Sequence, residues 1–198
     1  MPKKGWNAWI FDYIDWDTQA KALSTLEYTQ ELVVTKLAHN LLLTRRHMEH
    51  IAQGESDICL SCLETIETAP HIFACVHRVQ WQATFLDSLR EILATLYTQP
   101  DLQMILMAGT QGAFQNDPLF DMPTDKHDEA CFDLLVVLSQ NDIGWSHLLQ
   151  GRFSHPARSR SNKTTSSITS TRGAPRKSLA NHWLQKVLNH LWTHLYLA

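Results

Sequence analysis

No run of this sequence comes near the roughly 20 apolar residues that a membrane-spanning helix needs, so a membrane is not expected among its partners. The N-terminal MPKKGWNAWIFDYIDWD has two lysines and apolar residues, but acids interrupt it before a signal-peptide core can form. Without a secretory signal the expected location is intracellular, in nucleus or cytoplasm, where cysteines bind metals more readily than they form disulfides. Strand-like alternation is also missing, apart from a short stretch around the first two cysteines that suits a small hairpin. Charge of one sign is absent over a long stretch: residues 143–198 contain eight Lys and Arg and no acid. All 20 acids and nine of the 17 bases fall in residues 1–142, a net charge of −11. Such a split fits either a basic tail that meets a polyanion or the acidic body, or a solvated linker with no partner.

What is present is mostly helical periodicity. Hydrophobic residues make up 44% and charged residues 19% of the 198-residue chain, enough for a folded core. Asp17 is a candidate N-cap for a first helix carrying Ala20, Leu23 and Leu26, with Asp12 and Asp15 as turn residues rather than metal ligands. A second helix is predicted from Thr29 to Asn40, and a third begins after Thr44 and closes at Gly54. Arg45 and Arg46 at its start oppose the helix dipole, and His47 and His50 read as surface histidines. Phe85, Leu89, Ile92, Leu93 and Leu96 mark a long helix that Pro100 stops. Asp101 can cap the next, which ends near Gly112. Residues 113–126 read as a loop. A further helix runs from Asp128 to Gln140, carrying Cys131 as a core thiol, and a short turn IGWSHLLQG follows. Residues 152–178 have the Ser, Thr, Arg and Lys content of a flexible linker. Ser178 is a candidate cap for a final amphipathic helix whose Trp183, Leu184, Val187, Leu188, Leu191, Trp192 and Leu195 share a face. That face is expected to dock on the body or to pair with a protein partner. The fold class is therefore all-α, in five stretches: residues 1–57, 58–81, 82–151, 152–178 and 179–198.

The stretch most informative about chemistry is ICLSCLETIETAPHIFACVHRVQW. Cys59, Cys62, His71 and Cys75 are spaced C-x2-C-x8-H-x3-C. Two cysteines two residues apart suit a tight turn that aims both sulfurs at one point. His71 and Cys75, four apart, share a face of a helix that Thr68 can cap and Pro70 can open. Cys3His is an ordinary structural ligand set for Zn2+, and four protein ligands leave no position for a catalytic water. The alternative is buried thiols beside an unrelated histidine. Three of the four cysteines in one window, with a histidine at helical spacing, favour the metal. Glu67 is either an acceptor that orients His71 or an exposed residue beside the cap.

These residues resemble the zinc-binding domain that follows the polymerase in reverse transcriptases of non-LTR-type retroelements. The shared elements are Lys36, Leu37 and His39, then Leu42, Leu43 and Thr44, then Cys59, Cys62, Glu67, Thr68, His71, Cys75 and Trp81. The match covers residues 30–81, with looser likeness in FDYIDWD and IGWSHLLQGRFS. Leu43 and Val76 stand where that family often has proline, which affects helix boundaries and not ligands. A palm with paired catalytic aspartates is missing, as is any acid set spaced like a ribonuclease H or endonuclease site. The resemblance therefore implies a C-terminal retroelement piece without its enzyme, with no small-molecule substrate and RNA or DNA as the partner. Arg45, Arg46, Arg78, Arg90, Arg152, Arg158, Arg160, Arg172, Arg176 and Lys177 form the expected phosphate-facing set. The other reading is a zinc-stabilised protein-interaction module. Removing residues 152–198 is the expected way to ask whether binding resides in the tail.

Overall fold

A computed structural model describes residues 8–39, 41–51, 56–115, 130–154 and 176–196. Within them the chain is all-α, with no named strand. The helices are α1 (Ala8–Tyr13), α2 (Trp16–Leu23), α3 (Tyr28–Ala38), α4 (Arg45–Ile51), α5 (Ala69–Ala74), α6 (Val79–Thr95), α7 (Pro100–Phe114), α8 (Ala130–Ile143) and α9 (Arg176–Tyr196). Short 3-10 turns at Val76–Arg78 and Trp145–His147 precede α6 and follow α8. No helix among the described residues is long and apolar enough to cross a membrane.

The boundaries follow from which groups satisfy the helix ends. Asp15, not Asp17, caps α2: its carboxylate accepts from the Thr18 backbone N–H at 3.2 Å and from the Thr18 hydroxyl at 2.9 Å. Pro100 opens α7 rather than merely ending α6, because its fixed φ and missing N–H suit a first turn. Ser178 lies inside α9, which starts at Arg176. Gly54, the loop from 116 and the stretch 155–175 lie outside the described residues, as does the side chain of Cys131.

One apolar cluster gathers residues from Ala22 to Trp192. In α6, Phe85, Leu89 and Leu93 recur every four residues and are all buried, which makes a single stripe toward the core. Leu102, Ile105, Leu106, Ala113 and Phe114 do the same for α7. The stripe of α9 docks inward over α2, α3 and α6, with Trp183, Leu184, Val187, Leu188, Leu191 and Trp192 all buried. The face open to either docking or pairing is thus occupied within the chain. Polar contacts help fix its register: the Trp183 indole donates to Thr98 at 2.8 Å, the Asn189 amide donates to Thr25 at 2.7 Å, and Ser88 Oγ lies 2.5 Å from His190 Nε2.

The first residues of the expected linker belong to this core. Phe153 and Ser154 are buried, and the Ser154 N–H donates to the Gln140 side chain at 3.2 Å. The Asp15 N–H donates to the Phe153 carbonyl at 3.1 Å, so the chain after α8 is tied to the start of α2. Helix α7 also meets the turn after α8 face to face. There Gly109 leaves the space that the Trp145 indole fills, and a Cβ would overlap the ring. Gly109→Ala is expected to lower stability by about 1–3 kcal/mol despite alanine's better helix propensity, as overpacking does, and a urea melt checks it.

Candidate metal centre

The site begins in a short hairpin. An antiparallel bridge joins Ile58 to Ile66, and the Glu67 N–H donates to the Asp57 carbonyl at 2.8 Å. Inside it the Cys59 N–H donates to the Thr65 carbonyl and the Leu63 N–H to the Cys59 carbonyl, both at 2.8 Å. Those bonds close the turn around Cys59 and Cys62. Leu63 completes it in the left-handed region at φ 58°, a conformation that costs a β-carbon-bearing residue about 1–2 kcal/mol.

The second half of the site is α5. Thr68 caps it, its hydroxyl accepting from the His71 N–H at 3.2 Å, and Pro70 occupies the first turn. The expected single helix through both His71 and Cys75 stops at Ala74, and Cys75 has extended backbone at φ −65°, ψ 125°. Gln82 supplies the reason: its amide donates to the Phe73 carbonyl at 2.7 Å and to the Cys75 carbonyl at 3.3 Å, so these groups need no further helical turn. Phe73 then plugs α5 into the main core. Its ring centroid lies 6.2 Å from that of Trp81, which meets Phe85 at 5.4 Å and Phe114 at 5.6 Å with the rings tilted.

Hairpin and helix bring one ligand atom from each of Cys59, Cys62, His71 and Cys75 within 4.8 Å of one another. The Cys62 sulfur is 3.4 Å from His71 Nε2. A tetrahedral ion with bonds near 2.3 Å to sulfur needs ligand–ligand edges of about 3.7 Å, so the set fits a metal ion with small adjustments. Cys59 and Cys75 are fully buried and Cys62 nearly so, and the three form an apolar cluster separate from the main core.

The thiols do not share one electrostatic setting. Burial would push the Cys59 thiol up, but the N–H groups of Cys62 and Ser61 and the His71 side chain outweigh it and hold it below the free value. The Glu64 N–H, aided by Thr65, Cys59 and Cys75, lowers Cys62 against a smaller effect of burial. Cys75 is raised, by burial first and then by Cys59 and Cys62 beside it. Two sulfurs are thus held toward the thiolate form by backbone donors, the state in which cysteine binds metal.

Glu67 does not orient His71. Its Oε1 accepts from the Arg45 N–H at 3.0 Å and its carbonyl from the Arg46 N–H at 3.4 Å, so it caps the start of α4 from a distance. Arg45 completes the strap by donating from Nε to the Ser56 carbonyl at 2.9 Å. A carboxylate at that helix start also offsets the two arginines placed against the dipole.

The described basic residues among those singled out from sequence are spread over several elements. Arg46 is exposed on α4, Arg78 half-buried in the 3-10 turn, and Arg90 pairs with Asp87 on the outer side of α6. Arg152 turns inward, donating from Nη2 to the Ala38 carbonyl at 2.6 Å with Nη1 2.7 Å from His147 Nδ1. Burial pushes its guanidinium down to about 10. Arg176 and Lys177 stand in the first turn of α9, and Arg158, Arg160 and Arg172 lie outside the described residues.

The fold and the ligand geometry define a class: an all-α domain with a closed, four-ligand candidate metal centre between a hairpin and a short helix. Comparison with protein-family models, curated proteins and solved structures finds no match to this chain.

Proposed function

We propose that the metal is a structural Zn2+ and that the chain is a non-catalytic accessory domain that binds nucleic acid, akin to the zinc-binding region following retroelement reverse transcriptases. The convergence of Cys59, Cys62, His71 and Cys75 carries this reading. Three sulfurs and one imidazole nitrogen are a borderline-soft set that suits zinc, and with all four bound no site remains for a water or substrate. The metal then acts by fixing one end of α5 to the hairpin. Support for nucleic acid comes from the motif residues around the ligands and from the acid-free, base-rich end of the sequence. A gel-shift titration across ionic strength tests it: retardation at low salt should fall steeply as salt rises, since phosphate contacts release counterions. Absence of retardation at low salt removes this reading.

One observation favours a second reading, a zinc-stabilised protein-interaction module. Leu60, Leu63, Val76 and Val79 are exposed around the candidate centre, at 66%, 72%, 69% and 59%. If no oligonucleotide binds, that apolar rim becomes the feature to explain.

A further inference from the structure

A cleft of about 310 Å3 lies beside the candidate metal centre, between α4 and the start of α5. Arg46, His47 and His50 line one wall, Thr68 and Pro70 the other, and Leu42 lies between. Among the described residues no carboxylate lines it. Of the other hollows, the groove along Cys62 and His71 carries Glu64, the one at the α1–α2 junction is walled by Asp12, Asp15 and Asp17, and the one beside Gln82 and Gln111 has neither acid nor cation among its described lining residues. Glu67 is engaged on the Arg45 N–H, and Glu49 Oε2 lies 3.9 Å from Nδ1 of the wall residue His50.

We propose that this cleft seats a backbone phosphate of a single nucleic-acid strand, and that the metal-bearing hairpin sets its width. Building on the nucleic-acid reading above, the inference adds a place and a role for the metal. The guanidinium of Arg46 offers a planar fork to phosphate oxygens, and the two imidazoles add N–H donors. Thr44 and Thr68 have their oxygens engaged as helix caps, at 3.3 Å from the His47 N–H and 3.2 Å from the His71 N–H, which leaves each hydroxyl proton to donate. The volume exceeds what a lone carboxylate needs and leaves room for a sugar against Leu42, Ala69 and Pro70.

Both walls depend on the hairpin. Thr68 and Pro70 line the cleft and also the groove over the ligands, three and one residues from His71. The opposite wall is strapped to the hairpin by Glu67 and by the Arg45–Ser56 contact. Metal loading should therefore open or close the cleft even though no cleft residue is a ligand.

The test uses the full zinc-loaded chain and a short fluorescein-labelled single-stranded oligonucleotide, with affinity read by anisotropy over a salt series. The exposed change Arg46→Gln is expected to weaken binding about tenfold and to reduce the salt slope by about 1, the signature of one lost phosphate contact. Adding His47→Gln and His50→Gln should weaken it further. Glu67→Ala should weaken binding while zinc content stays at the wild-type value, because only the strap is lost. Wild-type affinity and slope in Arg46→Gln and in the triple variant would overturn the inference and leave the nucleic-acid reading standing. A wild-type chain that binds no oligonucleotide at low salt would overturn both. Displacement of the oligonucleotide by polyglutamate at equal charge concentration would assign the cleft to acidic peptides and also overturn it.

Discussion

A chain ending at residue 175 is expected to lose cooperative folding altogether. Helix α9 buries Trp183, Leu184, Val187, Leu188, Leu191 and Trp192, none more than 2% exposed. At about 1.5–3 kcal/mol for each such side chain, its removal forfeits on the order of 10 kcal/mol. Whole domains are stable by only about 5–15 kcal/mol. Compactness of the denatured chain trims the figure without reversing the comparison. The loss extends beyond α9, because α2, α3 and α6 pack against it and would face water. Trp192→Ala is the graded version, expected to cost about 3–5 kcal/mol in a urea melt followed by circular dichroism. A truncated chain that melts cooperatively at the full-length midpoint would show that α9 is not part of the core. It also follows that removing residues 152–198 unfolds the protein rather than asking where nucleic acid binds. Changing Arg158, Arg160 and Arg172 to Gln asks that question without disturbing the packed residues at Phe153 and in α9.

Metal removal should have an equally large but more local effect. Apparent binding of structural zinc by small zinc peptides is on the order of 10 kcal/mol at neutral pH. The hairpin has little apolar support: among the described residues its cluster consists of Cys59, Cys62 and Cys75, while Leu60 and Leu63 face outward, and its ties to α4 are the hydrogen bonds of Glu67 and Arg45. A strong chelator, or Cys75→Ser, is therefore expected to abolish amide protection from residue 56 to residue 78 and to melt α5. The main cluster has its own support in α6, α7 and α9, so protection there should persist, with Phe73 as the one buried anchor withdrawn from it. Full protection of the hairpin after chelation would mean that the thiols pack as ordinary apolar groups. The left-handed Leu63 makes that unfavourable, because the turn stores strain that the metal bonds offset.

The ligand set was legible because its signals are local. The C-x2-C turn, the Thr68 cap and Pro70 in the first turn each act within a few residues, and the fold places them as the spacing indicates. The stripes on α6 and α9 were equally plain, since helical periodicity reports burial directly. What the stripe on α9 could not report is its partner: an apolar face must be covered, but not by which surface. Most of the missed features depend on distant groups. Glu67 caps a helix 22 residues earlier, and Gln82 reaches back past α5 to end it at Ala74. Arg152 is attached to a carbonyl 114 residues away, so composition placed it in a basic tail while the fold turned it inward. Asp15 and Asp17 are alternative caps by residue type, and only the Thr18 contacts distinguish them. The cleft at Arg46, His47 and His50 had a faint local signal in R-H-x-x-H, but its other wall comes from α5.

X-ray absorption at the zinc edge, on purified protein with its metal content measured in parallel, tests the closed centre most directly. One zinc per chain is expected, with three sulfurs near 2.3 Å, one nitrogen near 2.0 Å and no oxygen shell. A metal-free preparation with native circular dichroism, or a zinc shell that includes a water oxygen, would contradict it.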